Sequence, residues 1–110
     1  MVFFKLTLAA LALIAAPTPK TTAVIDVPVF EATVLSYFDD ADPRCTLAVI
    51  SAQDDGDVFR VTAVPRCELN GYPVVRLEYA PQPDGSYRET VYGMRGTPQA
   101  PYWEEWAYSD

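Results

Sequence analysis

The chain has 110 residues, half of them hydrophobic, and its 15 acidic and 8 basic side chains give a formal charge of −7. That length holds one domain at most, and the acidic balance repels phosphate backbones and anionic lipid, so nucleic acid and membrane surfaces are poor partners. Histidine is absent, which removes Ser-His-Asp and Cys-His catalysis and histidine metal ligation together.

Residues 1–16 read as a leader. Lys5 is followed by Leu6 to Ala16, a run whose only polar member is Thr7, and Pro17 and Pro19 then end it. One early cation, a short apolar stretch and small residues match a helical signal peptide, and the run is too short to cross a bilayer, which takes roughly 20 apolar residues. Cleavage is expected after Ala16 or, with Thr21 at the −3 position, after Ala23. The second choice defines a leader over 1–23 and a single β domain over 24–110. Losing Lys5 and Lys20 moves the charge from −7 to −9 and leaves six arginines as the only basic side chains. The mature chain then has no lysine for Schiff-base chemistry and no membrane span. Its expected location is secreted or periplasmic.

After the leader, Val24 to Val29 reads as an edge strand at best, interrupted by Asp26 and Pro28, and an unpaired edge there leaves pairing with a second copy open. Phe30 to Phe38 alternates as a strand with Phe30, Ala32, Val34, Ser36 and Phe38 on one face. Asp39-Asp40-Ala41-Asp42-Pro43 is a loop. Thr46 to Ala52 and Val58 to Val64 form a hairpin about Gly56, within Gln53-Asp54-Asp55-Gly56-Asp57. Residues whose numbers sum to 112 then face each other, which sets Cys45 opposite Cys67 at the open end. In an exported domain this small, two cysteines so placed read as a disulfide, worth roughly 3 kcal/mol in the chain-entropy model.

Asn70-Gly71 marks the next turn. Tyr72 to Ala80 is a strand with Val75, Leu77 and Tyr79 opposed to Val74, Arg76 and Glu78. Asp84-Gly85 turns the chain again, and Ser86 to Tyr92 returns until Gly93 and Gly96 break the strand. The tail, residues 97–110, is irregular at Pro98 and Pro101, and residues 102–108 form either one helical turn or a closing strand. The fold class is therefore all-β, a five- to six-stranded antiparallel meander that closes into a small barrel or packs as a compact sandwich. The meander, with Leu69-Asn70-Gly71-Tyr72-Pro73-Val74-Val75-Arg76-Leu77 and the Asp84-Gly85-Ser86-Tyr87 return, resembles the five-stranded OB-type barrel. That OB-like likeness implies architecture and carries no function.

The candidate binding residues are Tyr102, Trp103, Trp106 and Tyr108, since tryptophan and tyrosine concentrate at binding hot spots. These rings either cover an open barrel end or stand out as a patch. A helical turn sets Trp103 and Trp106 on one face, whereas a strand splits them. The clusters Asp39-Asp40-Ala41-Asp42 and Asp54-Asp55-Gly56-Asp57 lack the spacing of a calcium loop, so solvated turn chemistry is expected there. No metal, cofactor or catalytic residue is assigned. The composition fits a non-enzymatic binding module of the cell envelope or extracellular space, with a protein or glycan partner. The competing class is a secreted acidic inhibitor or effector that blocks a basic protein.

Overall fold

The computed structural model describes residues 21–22 and 24–109. The expected leader therefore lies outside the described residues apart from Thr21 and Thr22. These two form a short strand, β1 (Thr21–Thr22), paired with the far end of the first long strand. Cleavage after Ala16 keeps this strand, and cleavage after Ala23 removes it.

A helix follows, α1 (Val27–Leu35), where a strand was expected. The cause is visible in the spacing. Phe30, Val34 and Phe38 recur every fourth residue, and that interval puts them on one face at a period of two and on one stripe at 3.6 residues per turn. The flanks decide between the two. The Asp26 carboxylate accepts from the Val29 N–H at 3.2 Å as an N-cap, and Pro28 sits in the first turn, where its missing N–H costs nothing. Both residues mark interruptions in a strand and a start signal in a helix. The Ser36 N–H donates to the Ala32 carbonyl at 3.1 Å at the other end.

Five long strands follow: β2 (Leu47–Asp54), β3 (Phe59–Pro65), β4 (Val75–Pro81), β5 (Tyr87–Thr97) and β6 (Ala100–Ser109). They make one antiparallel sheet in the order β1-β2-β3-β4-β5-β6. The sheet is not closed into a barrel, and there is no second sheet among the described residues. α1 supplies the second layer instead. Phe30, Val34 and Phe38 share one core cluster with Ala52, Val61, Ala63, Val75, Leu77 and Val91. With that apolar face covered, the sheet has no need to curl onto itself. Among the described residues, no helix is long and apolar enough to cross a membrane.

The central hairpin follows the expected sum at its open end, with Leu47 opposite Pro65, Ala48 opposite Val64 and Val49 opposite Ala63. Ile50 is then extruded as a bulge, and from Ser51 opposite Thr62 onward the register is shifted by one. Cys45 and Cys67 are bridged across the unshifted end with their Cα atoms 5.5 Å apart. Asn70 and Gly71 both have positive φ, and the Tyr72 N–H donates back to the Leu69 carbonyl at 2.9 Å. This is the turn geometry that Asn-Gly favours.

Gly93 and Gly96 do not break β5, which runs through both. Gly93 is instead where the buried Tyr72 ring lies against the sheet. A Cβ at Gly93 would stand 2.2 Å from that ring, so the strand needs a residue without a side chain. Gly96, with φ of +95°, stands next to the β5–β6 turn, where the Ala100 N–H donates to the Thr97 hydroxyl at 3.1 Å.

Gly93→Ala is expected to cost about 2–4 kcal/mol, since Tyr72 is hemmed in and cannot yield. Gly85→Ala, whose Cβ meets nothing within 4 Å at φ +89°, should cost only about 1 kcal/mol. Urea unfolding of both variants checks the difference, and equal losses would contradict this placement of Tyr72.

Candidate binding site

β6 presents the four aromatic candidates, and it splits them. Trp103 pairs with Met94 and Glu104 with Gly93, but Trp106 is an extra residue in a bulge between Glu105 opposite Tyr92 and Ala107 opposite Val91. Trp103 and Tyr108 therefore lie on the sheet face away from α1, and Trp106 lies on the α1 side. By strand alternation Tyr102 shares the side of Glu104, but it stands at the β5–β6 turn end, 57% exposed. The four do not form one patch.

Trp106 is held from one side and open on the other. Its ring stacks on Phe38 with centroids 5.1 Å apart and planes within 4°. Its edge meets Tyr72 at 5.9 Å, and Nε1 donates to the Tyr37 carbonyl at 2.8 Å. It remains 38% exposed. It lines a cavity of about 270 Å³ with Phe38, Asp39, Asp40, Glu68 and Asn70. The loop after α1 thus carries its carboxylates to the tryptophan of the last strand, an arrangement of residues nearly 70 positions apart. Sequence reading singled out the ring and the acidic loop separately. It missed Phe38 as the link, because Phe38 was placed in a strand.

The loop is tied down by Tyr37. Its hydroxyl donates to Glu89 Oε1 at 2.5 Å, and the Tyr79 hydroxyl donates to Glu89 Oε2 at 2.5 Å. Burial first, and then the adjacent Glu89 charge, push the Tyr37 phenol from 10.0 up to about 12. The same causes raise Tyr79.

Elsewhere the protein stacks its own guanidinium groups on rings. Arg95 sits 4.3 Å from the Tyr72 centroid, and its Nε donates to Glu104 at 3.0 Å. Tyr72 also donates to Glu104 at 2.7 Å. These contacts hold the Glu104 carboxyl below its ordinary range, Tyr72 contributing most and Arg95 next. Arg88 lies 3.7 Å from the Tyr108 ring and 3.7 Å from Glu105. Arg76 lies 4.2 Å from the Trp103 ring. Each of these pairs joins a cation to the negative face of an aromatic ring.

The second acidic cluster is occupied by its own turn. Asp54 accepts from the Gly56 N–H at 2.9 Å, and Asp55 accepts from the Val58 N–H at 2.8 Å and from Arg60 at 2.6 Å. The backbone bond from Val58 and then Arg60 lower the Asp55 carboxyl to about 2. Among the described residues no three acidic or cysteine side chains converge as a metal set. Comparison with protein-family models, curated proteins and solved structures finds no match to this chain.

The Tyr37–Glu89 clamp sets a pH dependence. A phenol raised in the folded state adds stability that is complete below its unfolded value near 10.0 and is lost as pH rises through about 12. Unfolding free energy is expected to fall between those limits. Glu89→Gln should bring the Tyr37 phenol back toward 10.0, read as an earlier phenolate absorbance step. An unchanged titration would contradict the contact.

Proposed function

We propose that the chain is a non-enzymatic binding module, exported to the cell envelope or extracellular space, that takes a basic side chain of a protein partner at Trp106. The observation that carries this reading is the pairing of a partly exposed indole with the carboxylate-bearing residues Asp39, Asp40 and Glu68 in one cavity. Arg95 with Tyr72 and Glu104, and Arg88 with Tyr108 and Glu105, each combine a ring, a cation and a carboxylate within the fold. Among the described residues no guanidinium stacks on Trp106, and Arg95, which reaches the cavity rim through its bond to the Asn70 carbonyl at 3.0 Å, stacks on Tyr72 instead. A partner's arginine or lysine completes the set.

The acidic net charge steers such a partner toward the protein. A cation on an exposed ring contributes about 0.5–1 kcal/mol, and each exposed ion pair about as much again, so the affinity is moderate and falls with salt. The apolar run at the N-terminus and the Cys45–Cys67 bridge support export into an oxidising compartment.

The test is titration with a short tetra-arginine peptide, with Trp106 emission followed in a Trp103→Phe background. Saturable binding is expected, weakening several-fold as salt rises. Asn or Gln at Asp39, Asp40 and Glu68 should abolish it. The same change in charge at Asp54, Asp57 and Asp84, at the remote turns, should leave most of it. Equal losses from the two triple variants would reduce the effect to net charge and overturn the site.

A further inference from the structure

The sheet face away from α1 carries a second polar pocket, of about 220 Å³, lined by Arg60, Arg76, Glu78, Tyr92 and Trp103. Its centre is Arg76 of β4, which pairs with Thr62 on one side and with Tyr92 on the other. Arg76 is placed by two contacts. Its Nε donates to the Thr62 hydroxyl at 3.1 Å, and its guanidinium lies 4.2 Å from the Trp103 centroid. Those contacts fix the plane of the group and use only one of its nitrogens, leaving the two terminal nitrogens of the fork.

Among the described residues no carboxylate claims that fork. Glu78 lies nearby, but it accepts from Arg60 Nε at 3.0 Å, and Arg60 also holds Asp55 at 2.6 Å. Among the described residues, Arg76 makes no ion pair, although Arg88 and Arg95, the other ring-stacked arginines, each have a glutamate of β6. Burial works against its charge, and so does the neighbouring Arg60, while Glu78 and Tyr92 partly offset them from a distance. A guanidinium partly removed from water, oriented by packing and unmatched in a chain with 15 acidic residues is set for an anion from outside.

We infer that this pocket binds a single carboxylate, held by the terminal nitrogens of Arg76 beside Trp103 and Tyr92, on a ligand the size of one sugar or one amino acid. The acidic protein repels polyanions, which disfavours phosphate-rich ligands. A lone carboxylate meets the guanidinium of Arg76 alone, since Arg60 is already matched by Glu78 and Asp55. The planar fork accepts it with two parallel bonds, and the rings beside it offer apolar contact to the ligand body. This site lies on the opposite face from Trp106 and stands independently of the function proposed there.

The experiment is a nitrogen-resolved NMR titration of the full disulfide-bonded protein, in which the two tryptophan indole signals report the two faces separately. The probes are galacturonate, N-acetylglutamate α-amide and, as a neutral control, galactose, at matched ionic strength. Saturable shifts are expected at Trp103 Nε1 and at Arg76 Nε with one or both carboxylates and not with galactose. Response to galacturonate alone assigns a uronic acid, and response to the amino acid derivative alone assigns an acidic peptide. Arg76→Gln should weaken binding at least about tenfold. Arg76→Lys, which keeps the charge that covers Trp103 but loses the fork, should weaken it by a smaller factor and carries the comparison if the glutamine variant fails to fold. The inference is overturned by no saturable shift up to about 10 mM ligand, by shifts at Trp106 instead of Trp103, or by equal affinity in a folded Arg76 variant.

Discussion

The structure depends on one-sided burial. A nine-residue helix can cover only one face of a sheet with five long strands, so the two faces obey different rules. Beneath α1 the sheet is apolar, and Val34, Val61, Val75 and Val91 are fully buried. On the other face there is no second layer among the described residues, and the strands shield themselves with long side chains. Thr62 and Thr90 are buried there. Thr62 lies under Arg76, and Thr90 is flanked by Glu78 and Tyr108 across the ladder. Stacking guanidinium groups on rings lets such a face exclude water without exposing a large apolar patch.

The disulfide and the aromatic stack hold the helix over its face from different places. The bridge closes the start of β2 against the end of β3, just after the loop that leaves α1. Glu31 of α1 accepts from the Leu47 N–H at 2.8 Å, which ties the helix to that same point. At the other side, Phe38 meets Trp106, and Tyr37 reaches Glu89. The acidic loop between these anchors is consequently held beside the tryptophan. The proposed cation site is thus a by-product of how the helix is fastened, which explains why residues so distant in sequence share it.

Much of this was legible in the chain. The turns at Gly56, Asn70-Gly71 and Gly85 stand where turn chemistry puts them, and all four residues have positive φ. The cysteine pairing followed from hairpin symmetry, and the opposed faces of β4 followed from alternation. Three features were not legible, each for a physical reason. The spacing of Phe30, Val34 and Phe38 satisfies both helix and strand, so only Asp26 and Pro28 carried the distinction. Bulges at Ile50 and Trp106 leave no local signal, because an extruded residue is set by the neighbouring strand's register. Gly93 looked like a breaker because its role depends on Tyr72, which arrives from 21 residues earlier. The sequence leaves the aromatic tail open between a cover for the core and an exposed patch; in the fold Tyr102, Trp106 and Tyr108 are exposed and Trp103 is half-buried. Its division between two faces follows from β6 being a strand, and its partners Phe38 and Arg76 came from other elements.

The most direct test of one-sided burial is a proton NOE map of the two indoles in the oxidised protein. The account predicts contacts from Trp106 to the rings of Phe38 and Tyr72, contacts from Trp103 to Arg76, and none from Trp103 to any residue of α1. Contacts from both indoles to α1, or from neither, would show that the helix does not lie over a single face, and the division of the sites would fall with it.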